Sequence, residues 1–304
     1  IDSEIEIERI AAAATAQDKV QKVRLRVNIG VHANTHDFLA TAREDQKFGV
    51  SIADAITLVA KIRSHSHLEF IGLHSHIGSQ IHAKEGFVES VKRLIKLHAE
   101  LSKGGEIPEL NLGGGFGINY KPADEAPGIH EFAEALAVAV KVECHKHGIK
   151  VPVLAFEPGR VIAGNPGVTL YTVGTIKDVQ VSDADAVRKY VSIDGGMSDN
   201  IRPSLYGAEY TTILANRTSV AKKTSSRLVG KHCETGDIII REIDLPEDIV
   251  PGDLLAVPAT GAYGRSMASN YNHVPRPSVV AVKDGKARVI VRRESIEDLL
   301  ALDI

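Results

Sequence analysis

Leu112-Gly113-Gly114-Gly115-Phe116-Gly117 follows a short apolar segment. Consecutive glycines let backbone N–H groups approach an anion such as a phosphate closely, although the same run also suits a tight turn with no ligand. Glu157-Pro158-Gly159-Arg160 sets a carboxylate and a guanidinium on one turn. That is a surface salt bridge or, beside a phosphate loop, a clamp on phosphate or carboxylate, with Glu157 as a buried acid facing whatever ring the phosphate carries. His74-Ser75-His76-Ile77-Gly78-Ser79-Gln80 places two histidines on one face of a strand. Without a nearby acidic ligand they read as one buried and one hydrogen-bonded histidine rather than a metal pair, and His76 could stack on a flat cofactor. Cys233-Glu234-Thr235-Gly236-Asp237 puts a thiol beside a carboxylate in a turn, an unusual place for a core cysteine. Cys144, in Glu143-Cys144-His145-Lys146-His147, reads as structural, and zinc there lacks a second ligand pair. Two further glycine-rich polar turns run from Asp194 to Pro203 and from Thr260 to Gly264.

Repeating elements must position these groups. Arg24–Ile29, Glu69–His74, Glu109–Leu112 and Val153–Phe156 read as strands that begin roughly 40–45 residues apart, a spacing that suits βα units. Helical periodicity lies between them, at Ile52–Ser64, Glu85–Ser102 and Ile129–His147, with Gly104-Gly105 and Gly148 as stops. Polar or glycine-rich chemistry follows every one of these strands. That favours a (β/α)8 barrel over an open doubly wound sheet, which concentrates its chemistry at one crevice. Ile1-Asp2-Ser3 reads as a strand end followed by a helix N-cap, with Glu6 completing a capping box.

Past residue 167 short β-branched strands take over: Val168–Val173, Tyr190–Ile193, Asp237–Ile243 and Leu254–Val257. Val279–Lys283 and Arg288–Val291 make a hairpin through Asp284-Gly285. The polar stretches Val181–Arg188 and Asn216–Arg227 read as loops. The expected fold class is therefore α/β: the C-terminal half of a (β/α)8 barrel over residues 1–167, then an all-β domain over 168–304. A whole barrel needs eight units and about 250 residues, so the missing half is expected on the N-terminal side.

The 304 residues are 43% hydrophobic and 25% charged, with a net charge of −3, which suits a globular protein with a sizeable core. No basic excess is available to grip nucleic acid, and no apolar run approaches the ~20 residues of a membrane helix. Two cysteines cannot make a disulfide framework and nothing at the start reads as a secretory signal, so the expected compartment is the cytoplasm.

In this order the motifs resemble the fold-type III pyridoxal-phosphate decarboxylases, and among them those acting on diaminopimelate. The resemblance also covers Asp45-Gln46-Lys47-Phe48-Gly49, Asn111-Leu112, Asp199-Asn200-Ile201-Arg202-Pro203, His232 and Thr260-Gly261-Ala262-Tyr263. It implies pyridoxal 5'-phosphate as cofactor, held by Ser79, Gly113, Gly114, Gly115, Arg160 and Tyr263, with Glu157-Pro158-Gly159-Arg160 as one cofactor-binding turn. His76 would stack on the pyridine ring, Glu157 would pair with its nitrogen, and Cys233 would act as general acid from the partner subunit of a homodimer with a shared active site. Arg202, with Arg160, Tyr206 and Tyr263, would hold the distal carboxylate of an amino-acid substrate, and Glu234 its ammonium group. A diamine-forming enzyme has no distal carboxylate to hold. The implied reaction is therefore meso-2,6-diaminopimelate to L-lysine and CO2. An ornithine- or arginine-type decarboxylase and a non-catalytic binding relative are the alternatives.

One family feature is absent from these 304 residues: the Tyr-Ala-x-Lys-type motif that carries the Schiff-base lysine. Lys47 lies in a different motif. The chain taken alone is therefore expected neither to fold stably nor to decarboxylate.

Overall fold

The computed structural model describes residues 1–31, 47–180 and 187–304. Asp45 and Gln46 of one family motif, and residues 181–186 of one expected loop, lie outside the described residues. The chain divides into two compact units, Ile1–Ile118 with Glu125–Val161, and Asn119–Asp124 with Ile162–Ile304.

The first unit alternates helix and strand: α1 (Glu4–Ala16), β1 (Gln21–Asn28), β2 (Val50–Ser51), α2 (Ile52–Ser64), β3 (Leu68–His74), α3 (Lys84–Ser102), β4 (Glu109–Asn111), α4 (Ile129–Lys146) and β5 (Val153–Ala155). The strands form one sheet in the order β2-β1-β3-β4-β5, and every pair is parallel. The chain enters as the sequence suggests. Ile1 exchanges backbone bonds with Arg24 and Arg26 along β1, and the Glu6 carboxylate accepts the Ser3 N–H at 2.9 Å. β2 is an addition. Two residues are too few to show a period, yet they pair with the free edge of β1 through Val27 and Asn28.

Register sorts the side chains of this sheet into rows. Leu25, Leu73, Leu110 and Leu154 form one row across β1, β3, β4 and β5. It belongs to the core, together with Val91, Leu94 and Ile95 of α3 and Leu136 and Val140 of α4. Phe87, Phe116 and Phe132 close this core, with ring centroids 5.0–5.4 Å apart. Each such buried side chain contributes about 1.5–3 kcal/mol from apolar burial. The rows above and below the leucines are polar: Arg24, Gly72 and Glu109 in one, and Arg26, His74 and Asn111 in the other. Because Gly72 lacks a Cβ, Arg24 reaches across it to an ion pair with Glu109.

The second unit is built on a six-stranded sheet in the order β10-β9-β7-β6-β11-β8. Its strands are β6 (Val168–Gln180), β7 (Val187–Ile193), β8 (Ile213–Leu214), β9 (Lys223–Val229), β10 (Ile238–Pro246) and β11 (Leu254–Pro258). β7 and β9 pair in parallel and the other pairs are antiparallel. Between β5 and β6 lies the one-turn helix α5 (Arg160–Ala163), and α6 (Arg202–Tyr206) follows β7. The chain ends in the hairpin β12 (Val279–Lys283) and β13 (Lys286–Val291), turned at Asp284-Gly285, and the short α7 (Ile296–Leu300).

Two expected loops are corrected here. Val187 and Arg188 open β7, and residues 223–227 begin β9. In β9 Ser226 and Leu228 are buried while Lys223 and Ser225 face outward, so half-burial rather than apolar content makes the strand. The start of the expected 216–227 loop is held by Arg217, which bonds both carboxylate oxygens of Asp253 at 2.9 and 2.8 Å.

Candidate active site

In the first unit the polar groups gather at the C-terminal ends of the parallel strands. β3 delivers His74 and His76, β4 delivers Asn111 and the triglycine, and β5 delivers Glu157. A cleft of about 490 Å3 is lined by Arg24, Arg26, His74, Asn111 and Glu157, among others.

Asn111 joins two parts of this site. Its Nδ2 donates to Glu157 Oε1 at 2.8 Å, and its Oδ1 accepts the Gly113 N–H at 2.8 Å. The Glu157 N–H donates to Gly113 O at 2.8 Å, so acid and glycine turn are tied twice. The other carboxylate oxygen of Glu157 stands 3.4 Å from His74 Nε2. Glu157 was expected to be buried; its side chain is instead 51% exposed, because it lines an open cleft.

Both histidines are electrically neutral at physiological pH. Burial drives the His74 pKa down to about 4, against an upward pull from Glu157. Burial also lowers His76, with Arg26 pushing the same way. His76 Nδ1 accepts the Gly114 N–H at 3.1 Å, which assigns its proton to Nε2 and pins the ring to the glycine turn.

The triglycine turn requires glycine. Gly113 and Gly115 have φ of 70° and 99°, and a Cβ on Gly114 would collide with the Glu157 carbonyl, 2.9 Å from its carbon. The amides of Gly113 and Gly114 are engaged by Asn111 and His76, so part of the donor set expected for a phosphate instead organises the loop. Arg160 is buried and donates to Ser79 Oγ at 2.8 Å, which brings the guanidinium to the turn after β3. A buried guanidinium beside a hydroxyl and a side-chain-free turn, next to a cleft with an acid in it, suits a phosphorylated ring compound. Pro158 and Gly159 complete the turn into Arg160.

In the second unit Asp237 is the organising group. Its buried carboxylate accepts the Met197 N–H at 2.6 Å and the His232 N–H at 2.8 Å, joining the two polar turns. Arg202 is 3% exposed. Its Nη1 donates to Tyr210 Oη at 2.5 Å, and its guanidinium carbon lies 4.7 Å from the Tyr120 ring centroid. Tyr206 sits at the end of α6, on the same short helix as Arg202. Asp199 is half-buried beside Tyr171, and its desolvation raises its pKa. Cys233 and Glu234 are exposed, Cys144 is buried, and both cysteines are thiols. Tyr263 is 41% exposed and has a left-handed backbone, φ 62°.

Asn111, His74 and Arg26 were not among the expected site residues. Their signal is the polar alternation of strand residues opposite a leucine row. Among the described residues no group of three or more His, Cys, Asp or Glu is placed to hold a metal ion, and no helix is long and apolar enough to cross a membrane.

Residues 1–164 match the family described as pyridoxal-dependent decarboxylase, pyridoxal binding domain. The chain belongs to this family of pyridoxal-phosphate-dependent carboxy-lyases, and its cofactor is pyridoxal 5'-phosphate. Over 312 residues it is 51% identical to diaminopimelate decarboxylase of Mycobacterium tuberculosis (strain ATCC 25618 / H37Rv), spanning 100% of this chain and 70% of that protein. The diaminopimelate decarboxylase of Staphylococcus aureus (strain COL) is 47% identical over 305 residues, again spanning 100% and 70%. Among solved structures, diaminopimelate decarboxylase from Helicobacter pylori complexed with L-lysine superposes with a TM-score of 0.89 at 30% identity, over 99% of this chain and 72% of that one. The fold, an α/β barrel wall followed by a β domain, is shared with these structures.

Proposed function

We propose that this chain carries cofactor and substrate residues for decarboxylation of meso-2,6-diaminopimelate to L-lysine and CO2. The observation that carries the proposal is the double tie of Glu157 to the glycine turn through Asn111 and Gly113. It ties an acid to the glycine turn, the pairing that the resemblance implies for a phosphorylated pyridine. When bound, pyridoxal phosphate accepts the electrons that departing CO2 leaves behind. Arg160 and Ser79 would hold the phosphate beside the Gly113–Gly115 turn, whose lack of side chains lets the group approach, assisted by Tyr263. His76, pinned by Gly114, covers one face of the ring, and the Glu157 carboxylate holds a proton on the ring nitrogen.

The remaining roles rest on the resemblance and on the similarity to relatives named for diaminopimelate. The Cys233 Sγ delivers a proton to the carbon that has lost CO2. Arg202, Arg160, Tyr206 and Tyr263 receive the distal carboxylate and Glu234 the distal ammonium. We propose a homodimer in which Cys233 and Glu234 serve the partner's site; their exposure supports this. Two unpaired thiols suit the reducing cytoplasm.

The test is CO2 release by the product of the whole gene, supplied with pyridoxal phosphate. Meso-diaminopimelate is expected to yield lysine while L-ornithine is left intact, because ornithine has no distal carboxylate. Turnover of ornithine or arginine with diaminopimelate untouched would move the protein to another amino-acid decarboxylation.

A further inference from the structure

The turn that presents Cys233 is held on both sides. The Glu234 N–H donates to His232 O at 2.8 Å, which closes a three-residue turn with Cys233 at its apex. On one side the buried His232 places Nε2 2.8 Å from Ser198 Oγ. On the other the Glu234 carboxylate accepts a hydrogen bond from Tyr271 Oη at 2.6 Å. The Tyr271 ring also lies against the His232 ring, with centroids 5.2 Å apart and planes at 42°. A single side chain thus touches both residues that flank Cys233. The Glu234 carboxylate raises the Tyr271 phenol pKa, with a smaller push from Cys233, so the phenol keeps its proton and remains a donor.

The segment carrying Tyr271 has an uncommon, tied-down backbone. Asn272 and His273 are consecutive residues in the left-handed region, with φ of 52° and 54°, a region that Asn and His enter more readily than most side chains. Asn270 ties the segment down: its Nδ2 donates to Glu294 Oε2 at 2.6 Å and to Val274 O at 3.2 Å, and its Oδ1 accepts from Arg276 at 2.8 Å.

We propose that Tyr271 is a positioning and specificity residue for the Cys233–Glu234 pair. Its hydroxyl fixes the Glu234 carboxylate and its ring fixes His232, so thiol and carboxylate meet the substrate in one arrangement. The inference rests on the reading of Cys233 as proton donor and Glu234 as ammonium partner.

The test is alkylation of Cys233 in the product of the whole gene, followed by mass spectrometry of its own peptide so that Cys144 does not contribute. Neutral iodoacetamide is compared with anionic iodoacetate, since a carboxylate fixed beside the thiol slows the anion selectively. Tyr271→Phe keeps the ring and releases the carboxylate. The iodoacetamide-to-iodoacetate rate ratio is expected to fall by roughly threefold, the order of one unit charge acting over a few ångströms in water. Glu234→Gln is expected to lower the ratio as well, testing the same contact from its other end, and adding Tyr271→Phe to it should change nothing further. A ratio that stays or rises in Tyr271→Phe, or falls equally with and without Glu234→Gln, overturns the proposal. In turnover, Tyr271→Phe should raise KM for diaminopimelate more than it lowers kcat. The alkylation result does not depend on turnover. Protein that shows the ratio change but decarboxylates nothing therefore refutes the reaction and the specificity role with it, and leaves only the positioning of the Cys233–Glu234 pair by Tyr271.

Discussion

His74 makes stability depend on pH in a direction opposite to that of a histidine with a stabilising partner. Its pKa in the folded protein is about 4 against an ordinary 6.5, because burial disfavours the imidazolium more than Glu157 favours it. The unfolded chain therefore binds a proton that the folded chain refuses. The stability involved is fully present above pH 6.5 and is lost as the pH falls from there toward 4. Each pH unit inside that window is worth about 1.4 kcal/mol, so roughly 2 kcal/mol is gone at pH 5. The side chain is only 16% exposed, which leaves little water to screen the effect. Replacing the ring by an amide, His74→Asn, removes the titration. His76 and His98 are shifted the same way by burial and remain in both proteins, so the difference isolates His74. Urea unfolding of the product of the whole gene, followed by far-ultraviolet circular dichroism at pH 7.5 and pH 5, makes the measurement. Wild type should lose about 2 kcal/mol more than His74→Asn over that interval. Equal losses in the two proteins, or a His74 ring resonance that titrates near its ordinary value, would refute the reasoning.

Three other perturbations have defined outcomes. Gly114→Ala drives a methyl group into the Glu157 carbonyl and should destabilise by about 3 kcal/mol or more, read by thermal unfolding, while weakening pyridoxal phosphate binding. Asp237→Ala leaves the Met197 and His232 amides without their acceptor; about 2–4 kcal/mol should be lost, with the Cys233 turn disordered in NMR spectra. Cys233→Ala should keep the absorbance of the bound cofactor and lose most turnover, and unchanged turnover would remove Cys233 from the mechanism.

The sequence showed most clearly where one element carries its own signal. Helix α2 is such a case: Ser51 caps it by accepting the Asp54 N–H at 3.1 Å, and Ala55, Leu58, Val59 and Ile62 recur on its buried face. The hairpin at Asp284-Gly285 is another. Strand β9 was hidden because Lys223-Thr224-Ser225-Ser226 has no apolar alternation, and its strand character comes from pairing with β7 and β10. The site divides the same way. Glycine turns and the Glu157–Arg160 motif are local and visible. The placement of Asn111 depends on register, which sets it beside His74 on β3 and brings it to Glu157, 46 positions away. Tyr271 meets Glu234 across 37 positions, and no periodicity announces such a contact.

The account turns on Glu157 acting at the ring nitrogen of the cofactor. The most direct measurement is the 15N NMR resonance of ring-labelled pyridoxal phosphate bound to the product of the whole gene. A resonance in the protonated range for wild type, moving to the unprotonated range in Glu157→Gln, is the predicted result. An unprotonated nitrogen in wild type, or a resonance indifferent to Glu157→Gln, would contradict it.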